Sequence, residues 1–175
     1  MNKVLIIIDM QNDFLTGTLA NPDANALVEP IVELINSNQF NEYIFTMDTH
    51  DKYHYYDTQE GQKLPVLHCN LLSKGRNIDD RLIEAVKKYG YSTITKYTFG
   101  FKHWRSIQAL EHVDEIHVCG TCTDICVITN VALLKTYYPE VPIYVHANLC
   151  AGTSKHAHEC AIETMRSMQV NIVGN

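Results

Sequence analysis

Val4-Leu5-Ile6-Ile7-Ile8-Asp9 decides how this chain folds: five consecutive apolar residues, four of them β-branched, close on a single carboxylate. A continuous apolar run of this length reads as a strand buried on both faces of a parallel sheet. It is far too short for a membrane span or the apolar segment of a signal peptide. Similar runs recur at Tyr43-Ile44-Phe45-Thr46, Ser92-Thr93-Ile94-Thr95, Ile116-His117-Val118-Cys119, Ile143-Tyr144-Val145 and Val170-Asn171-Ile172-Val173, which makes six candidate strands. Between them, residues 24–36, 79–89, 103–111, 123–138 and 154–168 carry apolar side chains at three- and four-residue spacing, the mark of amphipathic helices. This alternation predicts an α/β domain of three layers with a largely parallel sheet, its functional loops gathered at the carboxyl ends of the strands.

The chain has 175 residues, 46% of them hydrophobic, enough for one sizeable core, and residues 1–175 read as one domain. Its net charge is −6 with lysines and arginines scattered, so there is no electrostatic footprint for nucleic acid or an anionic membrane. The expected partner is a small molecule or a second copy of the chain, and the expected location is the cytoplasm. Six cysteines (69, 119, 122, 126, 150 and 160) do not suit a small disulfide framework. In a reducing compartment they read as thiols, metal ligands or catalysts.

Four places carry candidate chemistry. In Cys119-Gly120-Thr121-Cys122-Thr123-Asp124-Ile125-Cys126-Val127 a strand turns into a helix, with Thr123 as N-cap and the Cys126 thiol in the first helical turn. Amide N–H groups and the helix dipole there favour thiolate over thiol, and the same amides suit an oxyanion. Two other readings stand beside this one: a buried packing cysteine, and a metal cluster of His117, Cys119, Cys122 and Cys126 based on C-x-x-C spacing. Asp9 ends a wholly apolar run, either as a general base whose pKa is set by burial and a nearby cation, or as a loop-bracing carboxylate. Lys96, just past the third strand, is a candidate for that cation and otherwise a solvated loop residue.

The fourth place is the interval 48–77, which has no confident element and is dense in His, Asp, Tyr and Gly; long loops in compact domains are usually functional. It contains Asp48-Thr49-His50-Asp51-Lys52-Tyr53-His54 and Leu64-Pro65-Val66-Leu67-His68-Cys69. Asp-x-His-x-x-x-His followed by a distant His suits a borderline divalent ion such as zinc, or manganese or iron. With nine histidines in the chain, a chance surface cluster is the competing reading.

Together these segments resemble the isochorismatase-like cysteine hydrolases, and within them the nicotinamidase-like amidases. The resemblance is carried by Ile7-Ile8-Asp9-Met10-Gln11-Asn12-Asp13-Phe14, Asp48-Thr49-His50, Leu64-Pro65 with His68-Cys69, Lys96-Tyr97-Thr98-Phe99-Gly100-Phe101, and Gly120 through Val127. It implies a Rossmann-like fold and a catalytic triad of Asp9, Lys96 and Cys126. It also implies a cis peptide between Thr121 and Cys122, and an oxyanion hole from the backbone amides of Cys122 and Cys126. Phe14 and Phe101 would line the substrate pocket. Asp48, His50 and His68 would hold one divalent metal ion, with zinc expected; the fourth ligand is Glu60 or, on another family spacing, His54. The implied activity is hydrolysis of a small C–N amide through a thioester with release of ammonia. N-carbamoylsarcosine-amidase-like and isochorismatase-type hydrolysis, and a non-catalytic ligand-binding homologue, are the alternatives. The resemblance further implies a homo-oligomer. This chain departs from the nicotinamidase pattern in having Leu64-Pro65-Val66-Leu67 where many members place an aromatic residue before the last metal-binding histidine.

Overall fold

In the computed structural model, which describes residues 1–174, the opening apolar run becomes strand β1 (Lys3–Ile8), and Val4 through Ile8 are wholly buried. In chain order the other elements are α1 (Asn12–Leu15), α2 (Pro22–Asn25), α3 (Val28–Asn36), β2 (Glu42–Asp48), α4 (Gln59–Lys63), α5 (Asp80–Val86), β3 (Ser92–Lys96), β4 (Glu115–Thr121), α6 (Ile128–Tyr137), β5 (Ile143–Ala151), α7 (Lys155–Ser167) and β6 (Asn171–Val173). The six strands form one sheet in the order β3-β2-β1-β4-β5-β6, and every pairing is parallel. This is the largely parallel α/β architecture that the alternation of strands and helices predicts, in the Rossmann-like form that the resemblance implies. Its strand order reverses between β1 and β4, and the crevice at such a switch point is where open α/β sheets bind ligands. Asp9 follows β1, Asp48 ends β2, Lys96 ends β3 and Cys126 follows β4, so all four lie along one carboxyl edge. Strands β3 and β6 are the sheet margins. Among the described residues no helix is long and apolar enough to cross a membrane.

Several elements differ from the sequence reading. Residues 24–36 are not one helix: α2 is capped by Asn21, whose side chain accepts from Asp23 N and Ala24 N, and α3 begins only at Val28. Pro30 explains the break, because a helix continuous with α2 would need a Pro30 N–H to bond the Ala26 carbonyl, and the ring would crowd that oxygen. Residues 103–111 form two short 3₁₀ turns, Trp104–Ser106 and Gln108–Leu110, separated by an extended Ile107. Trp104, Ile107 and Leu110 repeat every third residue, a period that a 3₁₀ turn satisfies better than an α-helix. The interval 48–77, expected to lack elements, contains α4 and 3₁₀ turns at Tyr55–Asp57 and Lys74–Arg76. Strand β5 continues past Val145 to Ala151, with a register irregularity against β4 between Val118 and Gly120.

Gly120 is where β4 passes closest to β1. Its φ is +121°, and a Cβ there would sit 2.2 Å from the Ile8 carbonyl oxygen. Only glycine permits both the backbone angle and the close approach that brings the Cys126 turn against the end of β1. Gly120→Ala is therefore expected to cost at least about 2 kcal/mol of stability. Urea denaturation of parent and variant checks this, and an unchanged midpoint would contradict the packing described.

Candidate active site

Lys96 reaches the other groups because of the strand order. It stands on β3, two strand positions from β1, a lateral gap of about 10 Å that only a long side chain and a carboxylate can close. Its Nζ lies 2.6 Å from Asp9 Oδ2, 3.3 Å from Asp48 Oδ1 and 3.6 Å from Cys126 Sγ. Lys96 is 2% exposed and Asp9 is fully buried. Asp9 takes a left-handed backbone angle, φ +49°, at the strand end. A short polar side chain tolerates this conformation, which a β-branched one would resist. Thr46 fixes the carboxylate by donating its hydroxyl to Asp9 Oδ1 at 2.6 Å and accepting from the Asp9 N–H at 3.1 Å. Oδ2 has no hydrogen bond beyond its ion contact with Lys96.

Burial raises the Asp9 carboxyl above its ordinary value even though Lys96 pulls it down. Burial alone would lower the Lys96 ammonium, but Asp9, Cys126 and Asp48 outweigh it and the net direction is upward. The Cys126 thiol is pushed well above its ordinary value, first by burial and then by the Asp9 carboxylate. Burial beside two carboxylates thus opposes the thiolate that the helix-start position would favour. The turn itself also differs from expectation. Cys122, not Thr123, is the cap residue, and its carbonyl accepts from Ile125 N at 3.1 Å and from Val127 N at 3.0 Å, a wide turn closed at five residues. The Thr123 hydroxyl instead meets His158 Nδ1 at 2.9 Å, tying the turn to α7. The peptide between Thr121 and Cys122 is cis, as the resemblance implies.

Beside this set, Asp48, His50, Glu60 and His68 bring one ligand atom each to within 4.8 Å of one another. The separations are 2.9 Å for His50 Nε2 to Asp48 Oδ2, 3.4 Å for His68 Nε2 to Asp48 Oδ2, and 3.6 Å from each Nε2 to Glu60 Oε1. Ligands at about 2.0–2.2 Å from one ion stand about 3.0–3.5 Å apart, so the four residues fit a divalent cation. His68 Nδ1 donates to the Val66 carbonyl at 2.8 Å, which turns Nε2 towards the cluster. Burial opposes ionisation of Asp48, yet bonds from His50 and His68 and the charge of Lys96 hold it well below the usual carboxylate range. Asp48 thus belongs to both groups, one oxygen turned to the cluster and the other to Lys96. Between the two candidates for the fourth position the structure brings in Glu60. His54 is exposed and bonds Asp51 at 2.7 Å. The alternative cluster of His117, Cys119, Cys122 and Cys126 does not assemble: His117 contacts Glu115 and His146, and Cys119 is buried in the core.

These groups open onto a cavity of about 400 Å³ walled by Phe14, Leu19, Pro22, Phe99 and Ile125, with Cys122 and Cys126 at its base. Phe14 lies where the resemblance implies. Phe101 does not: its ring packs on Trp104 at 5.3 Å, and Phe99 takes the pocket position instead. A loop residue two places away is turned inward because Asn130 anchors this segment. The Asn130 amide donates to the carbonyls of Cys126 at 2.7 Å and Phe99 at 3.0 Å, and its oxygen accepts from Phe101 N and Trp104 Nε1.

Several residues that hold the site escaped the sequence reading. Gln11 brackets Asp48, accepting from its N–H at 2.8 Å and donating to its carbonyl at 2.9 Å. Asp13 accepts from Cys69 N at 2.7 Å and so ties the Phe14 segment to the His68 segment. Asp124 accepts from both the N–H and the hydroxyl of Thr153, closing the pocket wall. Asn130 had a legible signal, since it interrupts the apolar stripe of Val127, Val131 and Leu134.

Fold and site together define an α/β protein with a thiol-bearing pocket at the switch point of a parallel sheet, flanked by four side chains that could hold a cation. More specifically, the chain belongs to the isochorismatase domain family, whose sequence model matches residues 3–174. It is 26% identical to the nicotinamidase of Saccharomyces cerevisiae over 71% of this chain and 77% of that protein. The crystal structure of nicotinamidase PncA from Bacillus subtilis superposes with a TM-score of 0.81 at 26% identity, covering 98% of this chain and 99% of that one. The same fold occurs in the pyrazinamidase of Pyrococcus horikoshii in complex with zinc, with a TM-score of 0.76 at 21% identity, covering all of both chains (100% and 100%).

Asn130→Ala would remove four hydrogen bonds at once, two of them buried, so a loss of about 3 kcal/mol or more in unfolding free energy is expected. Denaturant titration measures it, and a loss below 1 kcal/mol would mean that Asn130 does not clamp the loop to the Cys126 turn.

Proposed function

We propose that this protein is a cysteine-dependent hydrolase of small-molecule amides, of the nicotinamidase type, formed by one domain over residues 1–175. One observation carries the reading: Lys96 Nζ touches Asp9 Oδ2 at 2.6 Å and Cys126 Sγ at 3.6 Å, with Cys126 on the wall of the cavity. Asp9 Oδ2, without another hydrogen bond, takes the thiol proton as Sγ attacks the amide carbonyl carbon. Lys96, itself buried, holds the charges of base and nucleophile together. The backbone amides of Cys122 and Cys126 bind the developing oxyanion. The C–N bond then breaks, the proton on Asp9 passes to the departing nitrogen, and ammonia leaves a thioester on Cys126. Asp9 next takes a proton from water, whose oxygen attacks the thioester; the C–S bond breaks, the proton on Asp9 returns to Sγ, and the carboxylic acid departs.

Asp48, His50, Glu60 and His68 would hold the metal, with zinc the expected ion from the mixed nitrogen and oxygen donors. When bound, it would supply a Lewis acid that orients a substrate nitrogen or a water. Among the described residues that line the cavity there is no lysine or arginine. That composition favours a neutral amide such as nicotinamide or pyrazinamide over carbamoyl amino acids or isochorismate, whose carboxylates would meet no basic side chain there. The free thiols of all six cysteines suit a cytoplasmic setting. An apolar strip on α6, with Ile128, Ala132 and Leu133, suits contact with a second copy.

Ammonia release from nicotinamide and pyrazinamide is the test of activity, with carbamoyl compounds alongside. Cys126→Ala is expected to lower it by about a thousandfold or more; retained turnover, or no release from any amide with metal supplied, would overturn the reading. Asp9 must be ionised to accept the proton, so activity is present above its pKa and lost as pH falls through it. Because burial raises that pKa, the acid limb of kcat/KM should lie above the ordinary carboxylate value of 3.8.

The metal reading has its own discriminating pair. Glu60→Gln should weaken zinc at least about tenfold in a chelator competition. His54→Ala should leave it unchanged, and the reverse result would transfer the fourth ligand to His54.

A further inference from the structure

A second group of imidazoles lies away from the pocket. Strands β4 and β5 turn Glu115, His117, Tyr144 and His146 to the same side of the sheet, where they border an open groove together with Lys3 and Glu33. His117 Nδ1 is 3.0 Å from His146 Nε2, and His117 Nε2 is 3.1 Å from Glu115 Oε2. The carboxylate can only accept, so His117 carries its proton on Nε2 and presents an Nδ1 lone pair to the neighbouring ring. We infer that His117 Nδ1 and His146 Nε2 form a second divalent-metal site, distinct from the pocket cluster, for an imidazole-selecting transition ion of which Cu²⁺ is the strongest binder.

The geometry carries this in three ways. Two nitrogens 3.0 Å apart match adjacent positions around an ion at about 2.0–2.1 Å, with water completing the shell. A metal-binding imidazole characteristically donates its other N–H to a carboxylate, and Glu115 occupies that place, itself fixed by Lys3 Nζ at 2.8 Å. His117 is also rigid before any ion arrives, its ring stacked on Tyr144 at 4.7 Å and 13° and met edge-on by Phe40 at 5.0 Å. For both nitrogens to face one ion, the His146 proton moves from Nε2 to Nδ1, which has no protein partner among the described residues. No net proton is gained or lost. Burial lowers the pKa of His117 against the pull of Glu115, and burial with the neighbouring His117 lowers His146 to about 4, a direction that favours the ligating form of both rings.

The ion would link β4 to β5 from outside the core. The test uses the full chain carrying Cys160→Ser, which removes the exposed thiol, loaded with one equivalent of Zn²⁺ and titrated with Cu²⁺. Electron paramagnetic resonance should report a site with two imidazole nitrogens. His146→Ala and His117→Gln should each weaken it at least about tenfold, and Glu115→Gln, which leaves both ligands in place, about tenfold. The melting temperature should rise with Cu²⁺ in the parent and not in His146→Ala. No Cu²⁺ signal of this kind, a signal that survives both imidazole replacements, or one lost instead in His156→Ala would overturn the assignment.

Discussion

The ammonium of Lys96, almost completely withdrawn from water, is the charge around which the pocket is organised. A lone buried ammonium is costly, and it is tolerated here because two carboxylates surround it. Asp9 and Asp48 are in turn brought to it by the ends of β1 and β2, and Cys126 by the turn after β4. The requirement reaches outward from there. Thr46 and Gln11 hold the carboxylates, Gly120 lets β4 approach β1, and Asn130 clamps the loop that follows Lys96. A polar network of this kind is stable only when every member is satisfied, so its positioning residues matter as much as those that touch the thiol.

Asp48 explains why two chemistries share one cavity. Its two oxygens face different neighbours, Oδ2 the imidazoles and Oδ1 the ammonium. The histidines and Glu60 are therefore not a separate appendage: they sit on a carboxylate that also bounds the thiol site.

Much of this was legible in the sequence, for identifiable reasons. β-branched runs give a period-independent signal, and all six strands are present where such runs occur, including the partly exposed margins β3 and β6. Asp9, Lys96 and Cys126 stood out because each follows a strand, and the parallel sheet gathers strand ends. What escaped depends on tertiary detail. Residues 103–111 have a spacing shared by 3₁₀ and α geometry, and the break before Val28 depends on one proline. Phe99 and Phe101 are equivalent by composition, and only the Asn130 anchor decides which faces the cavity. The burial that opposes a Cys126 thiolate was not legible either, because a turn reveals the helix start but not the carboxylates that the rest of the chain packs against it. The second half of β5 was missed since His146 and Asn148 interrupt its apolar character.

Strand β3 supplies the lysine yet lies at the margin of the sheet, is five residues long and pairs only with β2. Beyond that pairing, Arg76 Nη2 braces it through Thr95 Oγ1 at 2.9 Å, and the contacts of Lys96 with Asp9 and Asp48 fasten its end. Local opening needs far less free energy than global unfolding. The cationic centre is thus mounted on a marginal strand that its own ion pairs tether: a detachment of this rim would have to break them, and would withdraw the ammonium while β1 and β4 stay paired.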